Sequence, residues 1–314
     1  MSTPHLSVVS PVYRAEACLE ELCRRVTEAV SPITSDFEIV LVEDGGPDRS
    51  WEVIRRLAGQ DPHIRGLRLS RNFGQHHAIT AGLQAARGEW VIVMDCDLQD
   101  RPEEIPRLYA KALEGFDCVF ARRLARKDAL RKRLTSWVFY KAFNYLTDLH
   151  YDGAAANFSI LRRQVVHELL RLNEAVRFYG GFVHFVGFRR AAIDVAHDTR
   201  FAGQSSYGFL KLWRLSIGFI LAYSNKPLRL CVRLGFAMSL VSFGLAAWYL
   251  VRALLEGIPV LGWASLIISI FFSTGLIVLS IGVVGLYVDR IFSEVKRRPH
   301  FVIQERTFEQ EGAP

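Results

Sequence analysis

The chain is poor in cysteine: Cys18, Cys23, Cys96, Cys118 and Cys231 are scattered through 314 residues with no CxxC pair. That excludes a disulfide framework or a thiolate zinc site and reads as reduced cytosolic thiols. No Walker A or GxGxxG phosphate loop is present, which argues against an NTPase or a dinucleotide-dependent dehydrogenase. Low-complexity tracts and internal repeats are also missing, and half of the residues are apolar, so a disordered or collagen-like chain is excluded. The polar N-terminus leads straight into a strand-like segment, so no signal peptide is expected. The largest absence is charge. From Gly257 to Val288 there are 32 consecutive residues without Asp, Glu, Lys, Arg or His, and Leu234–Val251 is a second uncharged run of 18.

A membrane-spanning helix needs about 20 apolar residues. The two runs therefore predict spans at about Cys231–Leu255 and Trp263–Asp289, joined by a Glu256–Gly262 hairpin containing Pro259. The competing reading is a buried helical pair in a soluble protein. Flanking Arg229, Arg233, Arg290, Lys296, Arg297 and Arg298 favour a cytoplasmic position for both ends. The domain reading is a cytosolic catalytic domain at 1–200, a juxtamembrane amphipathic helix at 201–230, a two-helix transmembrane hairpin at 231–290 and a cytosolic tail at 291–314.

Ahead of these runs, short β patterns alternate with helical ones. Leu6–Ser10, Glu38–Glu43, Gly66–Leu69, Trp90–Asp95 and Asp117–Ala121 read as strands. Helix patterns fall near Ala15–Val30, Ser50–Leu57 and His77–Ala86. This alternation predicts an α/β fold with a doubly wound, mainly parallel sheet and ligands at the carboxyl ends of its strands. Leu134–Leu149 and Ser205–Ser224 are aromatic, helical stretches with cations, patterned as interfacial amphipathic helices or as core helices.

The net charge of +7 is concentrated. Arg122–Arg133 holds seven cations against the single acid Asp128. Arginine suits bidentate phosphate recognition, and a basic patch near a membrane attracts anionic lipid; the plainer alternative is a solvated helix face. No nucleic-acid-reading motif accompanies the patch, so a nucleic-acid partner is not expected.

Three segments carry chemistry. Val93–Gln99 (VMDCDLQ) closes a hydrophobic strand with two carboxylates one residue apart, Asp95 and Asp97. Such a pair suits Mg²⁺ or Mn²⁺ shared with a diphosphate, although Asp pairs also make turns and caps. Glu43-Asp44-Gly45-Gly46 ends another strand, where an acid can meet a ribose or a base. Asp48 or Ser50 could instead cap the following helix. Pro11-Val12-Tyr13 follows the first strand, with an aromatic able to stack on a nucleobase. Adjacent His76 and His77 point different ways on a helix and lack co-ligands, so a zinc role is not expected.

Together, segments 7–16, 38–54, 69–88 and 91–108 resemble glycosyltransferase family 2, and within it the GT-A-fold polyisoprenyl-phosphate glycosyltransferases. By eye the likeness is greatest to undecaprenyl-phosphate 4-deoxy-4-formamido-L-arabinose transferases and bactoprenol glucosyltransferases. It extends through both apolar runs to the KRRPHFVI segment at 296–303. The resemblance implies that Asp95 and Asp97, with Gln99 assisting, bind the metal and the sugar-nucleotide diphosphate, Asp97 being catalytic. It places Pro11, Tyr13, Glu16, Glu43, Asp44, Arg71, Asn72, Gly74 and Gln75 on the nucleotide side. Arg122 and Arg133 are implied in holding the lipid phosphate and in catalysis, and Arg126, Arg131, Arg200 and Ser205 belong to the same acceptor group. The chain departs from the family at Glu43, where Asp is usual, and at Gly46, where Ser is frequent. It also reads Ala156-Asn157-Phe158-Ser159 in an acceptor-side loop where bactoprenol glucosyltransferases carry Gly-Asp-Phe-Arg.

The activity so implied is inverting transfer of a sugar from a nucleotide-diphosphate sugar, with UDP expected, to undecaprenyl phosphate. The cofactor is Mg²⁺ or Mn²⁺, and the partners are membrane lipids and further copies of the chain, such as a tetramer. The expected place is the bacterial inner membrane with the catalytic domain cytoplasmic. Two alternatives stand beside it: a processive membrane polysaccharide synthase, disfavoured by the missing QxxRW segment, and a catalytically silent nucleotide-sugar binder.

Overall fold

The computed structural model describes residues 4–123, 155–174, 177–195, 224–256 and 262–309. The chain divides into two compact units. The first is built on one eight-stranded sheet and the second holds two long helices.

The sheet unit runs β1 (Leu6–Val12), α1 (Leu19–Val30), β2 (Phe37–Glu43), α2 (Ser50–Gln60), β3 (Ile64–Leu69), α3 (Gln75–Ala85) and β4 (Trp90–Val93). A 3₁₀ turn (Pro102–Glu104) and α4 (Ile105–Leu113) lead to β5 (Cys118–Arg123). Then come β6 (Ala155–Arg162), α5 (Arg163–Arg171), α6 (Tyr179–Phe185), β7 (Arg190–Val195) and, from the far end of the chain, β8 (Ile303–Arg306). The strand order is β7-β5-β6-β4-β1-β2-β3-β8.

The four strands from β3 to β4 pair in parallel, as the alternating pattern requires. Every residue of β1 and β2 is buried, because helices cover both faces of a parallel sheet. α1 meets the sheet along Leu19, Leu22, Cys23, Val26, Ala29 and Val30, the i, i+3, i+4 stripe of an amphipathic helix. On its outer side Arg24 bridges Glu21 and Glu28.

Two features depart from the sequence reading. Within 152–163, expected as an acceptor-side loop before a helix, residues 155–162 are strand β6, antiparallel to both β4 and β5. Phe158, in the departure from the Gly-Asp-Phe-Arg pattern, is fully buried there. Residues 303–306, expected within a tail, are β8, antiparallel to β3 at the sheet edge. β5 and β7 are parallel to each other, so six of the eight strands share one direction and their carboxyl ends share one edge.

At the opposite, amino-terminal edge Glu38 is 2% exposed. It is satisfied by Arg65, by Arg87 (Nε, 3.2 Å), by the Ser7 hydroxyl (2.7 Å) and by the Arg87 backbone N–H (2.6 Å). A buried carboxylate persists only when paired in this way.

The second unit contains α7 (Lys226–Glu256) and α8 (Trp263–Val295), both long and apolar enough to cross a membrane. Phe236, Phe243, Trp248, Phe271 and Phe272 are exposed on them. The aromatic stretches 134–149 and 205–223 lie outside the described residues.

Candidate active site

The carboxyl ends of β1, β2 and β3 are level, with Val12 opposite Glu43 and Glu43 opposite Arg68. The loops leaving them are tied to one another. Ser50 Oγ donates to Asp48 (2.8 Å) and accepts from the Ala15 N–H (3.2 Å). The Glu16 N–H meets Asp48, and the Arg49 N–H meets Glu16, each at 3.2 Å. Asp48 and Ser50 therefore do not cap α2, whose N-cap is Arg49 with no side-chain bond; they hold the β1–α1 turn. Glu16 likewise serves this bracket. Pro11 is buried at the end of β1, whereas Tyr13 is 41% exposed, with the Arg14 guanidinium 5.4 Å from its ring centroid.

Glu43 and Asp44 sit lower than the sequence reading placed them. Glu43 is 1% exposed; its carboxylate accepts the Gly46 N–H and lies 3.5 Å from Arg68 Nε. Asp44 is 3% exposed, and its two oxygens accept the Phe73 N–H (2.7 Å) and the Gly74 N–H (2.9 Å). Burial raises both carboxyl groups above their ordinary range, against the lowering effect of those backbone N–H groups. In the structure both carboxylates brace the loops around them. Their side chains are spent on the backbone of the Gly45–Gly46 turn and of the 73–74 loop. Gly45 makes the arrangement possible, with φ +60° and a Cβ position only 2.4 Å from the Arg71 carbonyl carbon and 2.5 Å from the Asn72 nitrogen. No side chain fits there.

Above this floor Arg71 donates to the Asn72 carbonyl (3.1 Å) and stacks on Phe73, 4.0 Å from its centroid. Gly74, at φ +99°, turns the loop into α3. The first side chain of α3, Gln75, donates from Nε2 to Asp95 Oδ1 at 2.6 Å. His76 beside it is half-buried, its ring edge-on to Phe178 and its Nδ1 3.4 Å from the Tyr179 N–H. Desolvation lowers its pKa to about 4, which favours the neutral ring near neutral pH.

Beyond β4 the exposure alternates. Asp95, Asp97 and Gln99 are half-buried, while Cys96, Leu98 and Asp100 are buried. The buried set anchors the segment and the other three face the open side. The Cys96 sulfur receives the Tyr13 backbone N–H, and burial pushes its thiol up to about 12. Leu98 adopts φ +60°, rare for a branched residue, and the Gln99 N–H reaches Asp97 Oδ1 at 3.2 Å. Gln99 thus holds Asp97 through its backbone.

Pro11, Tyr13, Asp44, Asn72, Gly74, Gln75, Asp95 and Asp97 are thereby gathered on linked loops. Arg122, at the end of β5, is exposed and pairs with its register partner Asp194 on the adjacent β7 (2.6 Å); β6 lies between β5 and β4. Arg126, Arg131, Arg133, Arg200 and Ser205 lie outside the described residues. Sequence reasoning missed Arg68, Phe73 and Glu305 as parts of the assembly. Gly45 was visible as part of a Gly-Gly pair after a strand, a signal for a close backbone approach.

Among the described residues no three His, Cys, Asp or Glu side chains converge as a metal cage. Two hard carboxylates without a cage fit Mg²⁺ or Mn²⁺, which bind through one or two carboxylates and complete their shell with phosphate oxygens.

The architecture is a mainly parallel α/β sheet with paired carboxylates just beyond the carboxyl end of a central strand. Residues 7–170 match Glycosyl transferase family 2, and the chain belongs to that family and is a glycosyltransferase. It is 36% identical over 301 residues to an SfII prophage-derived bactoprenol glucosyl transferase of Shigella flexneri, covering 96% of this chain and 97% of the relative. It is 34% identical over 305 residues to the undecaprenyl-phosphate 4-deoxy-4-formamido-L-arabinose transferase of Shewanella sediminis, covering 96% and 92%. Glucosyl-3-phosphoglycerate synthase of Mycobacterium tuberculosis, solved with Mn²⁺, UDP and phosphoglyceric acid, superposes with a TM-score of 0.52 at 19% identity. The superposition covers 70% of this chain and 77% of that one, and the likeness is one of fold.

Proposed function

We propose that this glycosyltransferase moves a sugar from a nucleotide-diphosphate sugar, with UDP as the nucleotide, to undecaprenyl phosphate, inverting the anomeric centre. The observation that carries the reading is the Asp95/Asp97 pair, half-exposed on the carboxyl edge of the sheet and braced by Gln75 and by the Gln99 N–H. Near-full-length similarity to relatives named for bactoprenol and undecaprenyl-phosphate transfer supports the acceptor.

In this reading Asp95 and Asp97 hold a Mg²⁺ or Mn²⁺ ion with the donor diphosphate. A divalent cation held there would neutralise charge gathering on the departing diphosphate. Exposed Tyr13 stacks on the base, with Pro11, Glu16, Arg71, Asn72, Gly74 and Gln75 around the nucleotide. Glu43 and Asp44 hold the loops from beneath. The acceptor oxygen belongs to a phosphate whose second pKa is about 6, so it is ionised near neutral pH and needs no strong protein base. It attacks the anomeric carbon as the bond to the diphosphate breaks, giving a polyprenyl-monophosphate sugar and free UDP. Arg122, Arg126, Arg131, Arg133, Arg200 and Ser205 receive the lipid phosphate, and in-line positioning supplies much of the rate. The two apolar helices anchor the enzyme in the bacterial inner membrane as a homo-oligomer. Its catalytic domain is cytoplasmic, and the segments 201–230, 231–290 and 291–314 serve as juxtamembrane, spanning and terminal parts.

The test is incubation of the purified protein with undecaprenyl phosphate, Mn²⁺ or Mg²⁺ and a panel of labelled nucleotide sugars. Glycolipid made by the wild type and lost in Asp97→Ala supports the reading. Nucleotide binding without transfer from any donor would convert it to a silent binder.

A further inference from the structure

The residues that follow the second apolar helix return to the sheet and are fastened along β3. The Ser70 N–H donates to the Val302 carbonyl (2.9 Å), and Arg68 registers with Glu305. Thr307 closes the far end: its Oγ1 accepts the Gly66 N–H (2.8 Å) and its N–H donates to the Gly66 carbonyl (3.1 Å). The Arg65 guanidinium covers the Phe308 ring at 3.8 Å.

At the centre of this seam Glu305 divides its carboxylate. Oε2 accepts from Trp51 Nε1 at 3.0 Å, and Oε1 pairs with Arg68 Nη1 at 3.0 Å. The other edge of the same guanidinium faces inward, with Nε 3.5 Å from the buried Glu43 Oε2. The second oxygen of Glu43 holds the Gly46 N–H. A buried carboxylate needs its counter-charge in one place, and a guanidinium is placed best when both of its edges are engaged.

We propose that the strand after the second apolar helix is a positioning element of the nucleotide site. Glu305 holds Arg68 against Glu43, and through Glu43 it holds the Gly45–Gly46 turn on which the Arg71–Asn72 backbone rests. The inference deepens the proposed function and rests on its nucleotide reading. Glu305 and Arg68 touch neither donor nor acceptor; they are positioning residues acting through Glu43. A segment just over two hundred residues beyond the carboxylate pair thereby sets donor affinity.

The test uses the full chain in detergent, titrated with UDP in the presence of Mn²⁺, with Glu305→Gln, Arg68→Gln, the double variant and the strand control Arg306→Gln. Arg306 is exposed on the same strand. Glu305→Gln keeps an acceptor for Trp51 but removes the charge facing Arg68. Each relay variant is expected to weaken UDP binding by about five- to tenfold, and the double variant by no more than the worse single, because both break one chain of contacts. In transfer assays the loss falls on KM for the donor, with kcat at saturating donor within about threefold. Arg306→Gln is expected to bind as the wild type does. Wild-type-like affinity in Glu305→Gln, or losses that multiply in the double variant, would overturn the inference while leaving the donor reading intact. Failure of the wild type to bind UDP would overturn the donor reading, and this inference with it.

Discussion

Replacing Gly45 by Ala tests how tightly the floor of the nucleotide site is built. Two costs add. At φ +60° a Cβ meets its own backbone, worth about 1–2 kcal/mol. The new Cβ would also lie 2.4 Å from the Arg71 carbonyl carbon, 2.5 Å from the Asn72 nitrogen and 2.8 Å from Arg71 Cα. All three are backbone atoms, so no rotamer relieves the contact and the 71–72 segment must retreat by about 1 Å, adding roughly 1–3 kcal/mol of overpacking. The retreat carries along the Phe73 and Gly74 N–H groups bonded to Asp44 at 2.7 and 2.9 Å, and a further 1 Å takes these beyond hydrogen-bonding range. Gln75 and its contact to Asp95 follow. The expected outcome is about 2–5 kcal/mol less stability and transfer reduced by about 10², the scale of a 1 Å misplacement. Gly74→Ala is the comparison. Its φ is +99°, yet nothing lies within 4 Å of its Cβ position, so it carries only conformational strain of about 1–3 kcal/mol. Denaturant titration and UDP binding in detergent measure both variants. If Gly45→Ala binds UDP at least as well as Gly74→Ala, the close approach of the two loops is not what shapes the site.

Three further outcomes follow from the packing. His76 has a folded pKa of about 4 against an ordinary 6.5. A depressed pKa means its contribution is complete above 6.5 and lost as pH falls toward 4, a change of about 3 kcal/mol; denaturation midpoints across that window should fall, and His76→Phe should flatten the slope. Cys23, Cys96 and Cys118 are buried with thiols pushed up to about 12, so iodoacetamide at pH 8 should leave them unmodified in the native protein and label them after unfolding, as mass spectrometry of peptides would show. Glu38→Ala strips a buried partner from Arg65 and Arg87 and should cost about 3–5 kcal/mol. Because Glu38 lies five residues, about 17 Å, down the strand from Glu43, UDP affinity of the folded protein at low temperature should remain that of the wild type.

The α/β alternation, the two long apolar helices and the carboxylate pair were legible in the sequence because each is a local pattern. β1, β2 and β4 are short apolar runs, α1 repeats its buried residues at helical spacing, and Asp95 and Asp97 stand directly after a hydrophobic strand. The same locality explains what was missed. β8 is Ile-Gln-Glu-Arg, too short and polar to announce a strand. It forms because β3 offers an open row of backbone groups, and backbone pairing does not read side chains. The loop expectation for 152–163 rests on the family resemblance, and the Ala-Ala-Asn opening of β6 carries no apolar alternation to mark a strand. Its place between β4 and β5 was settled by two antiparallel registers.

Residue chemistry, then, was set by the sequence: which groups carry charge, which bind oxygen-loving cations and which segments shun water. Tertiary structure decided which acids face the open edge and which brace it. Asp95 and Asp97 stay half-exposed, whereas Glu43 and Asp44 are buried beneath backbone N–H groups. The cause is desolvation: a carboxylate can leave water only where donors or a counter-charge meet it, and here the donors are the Gly46, Phe73 and Gly74 N–H groups and the counter-charge is Arg68, brought within reach only by the folded chain.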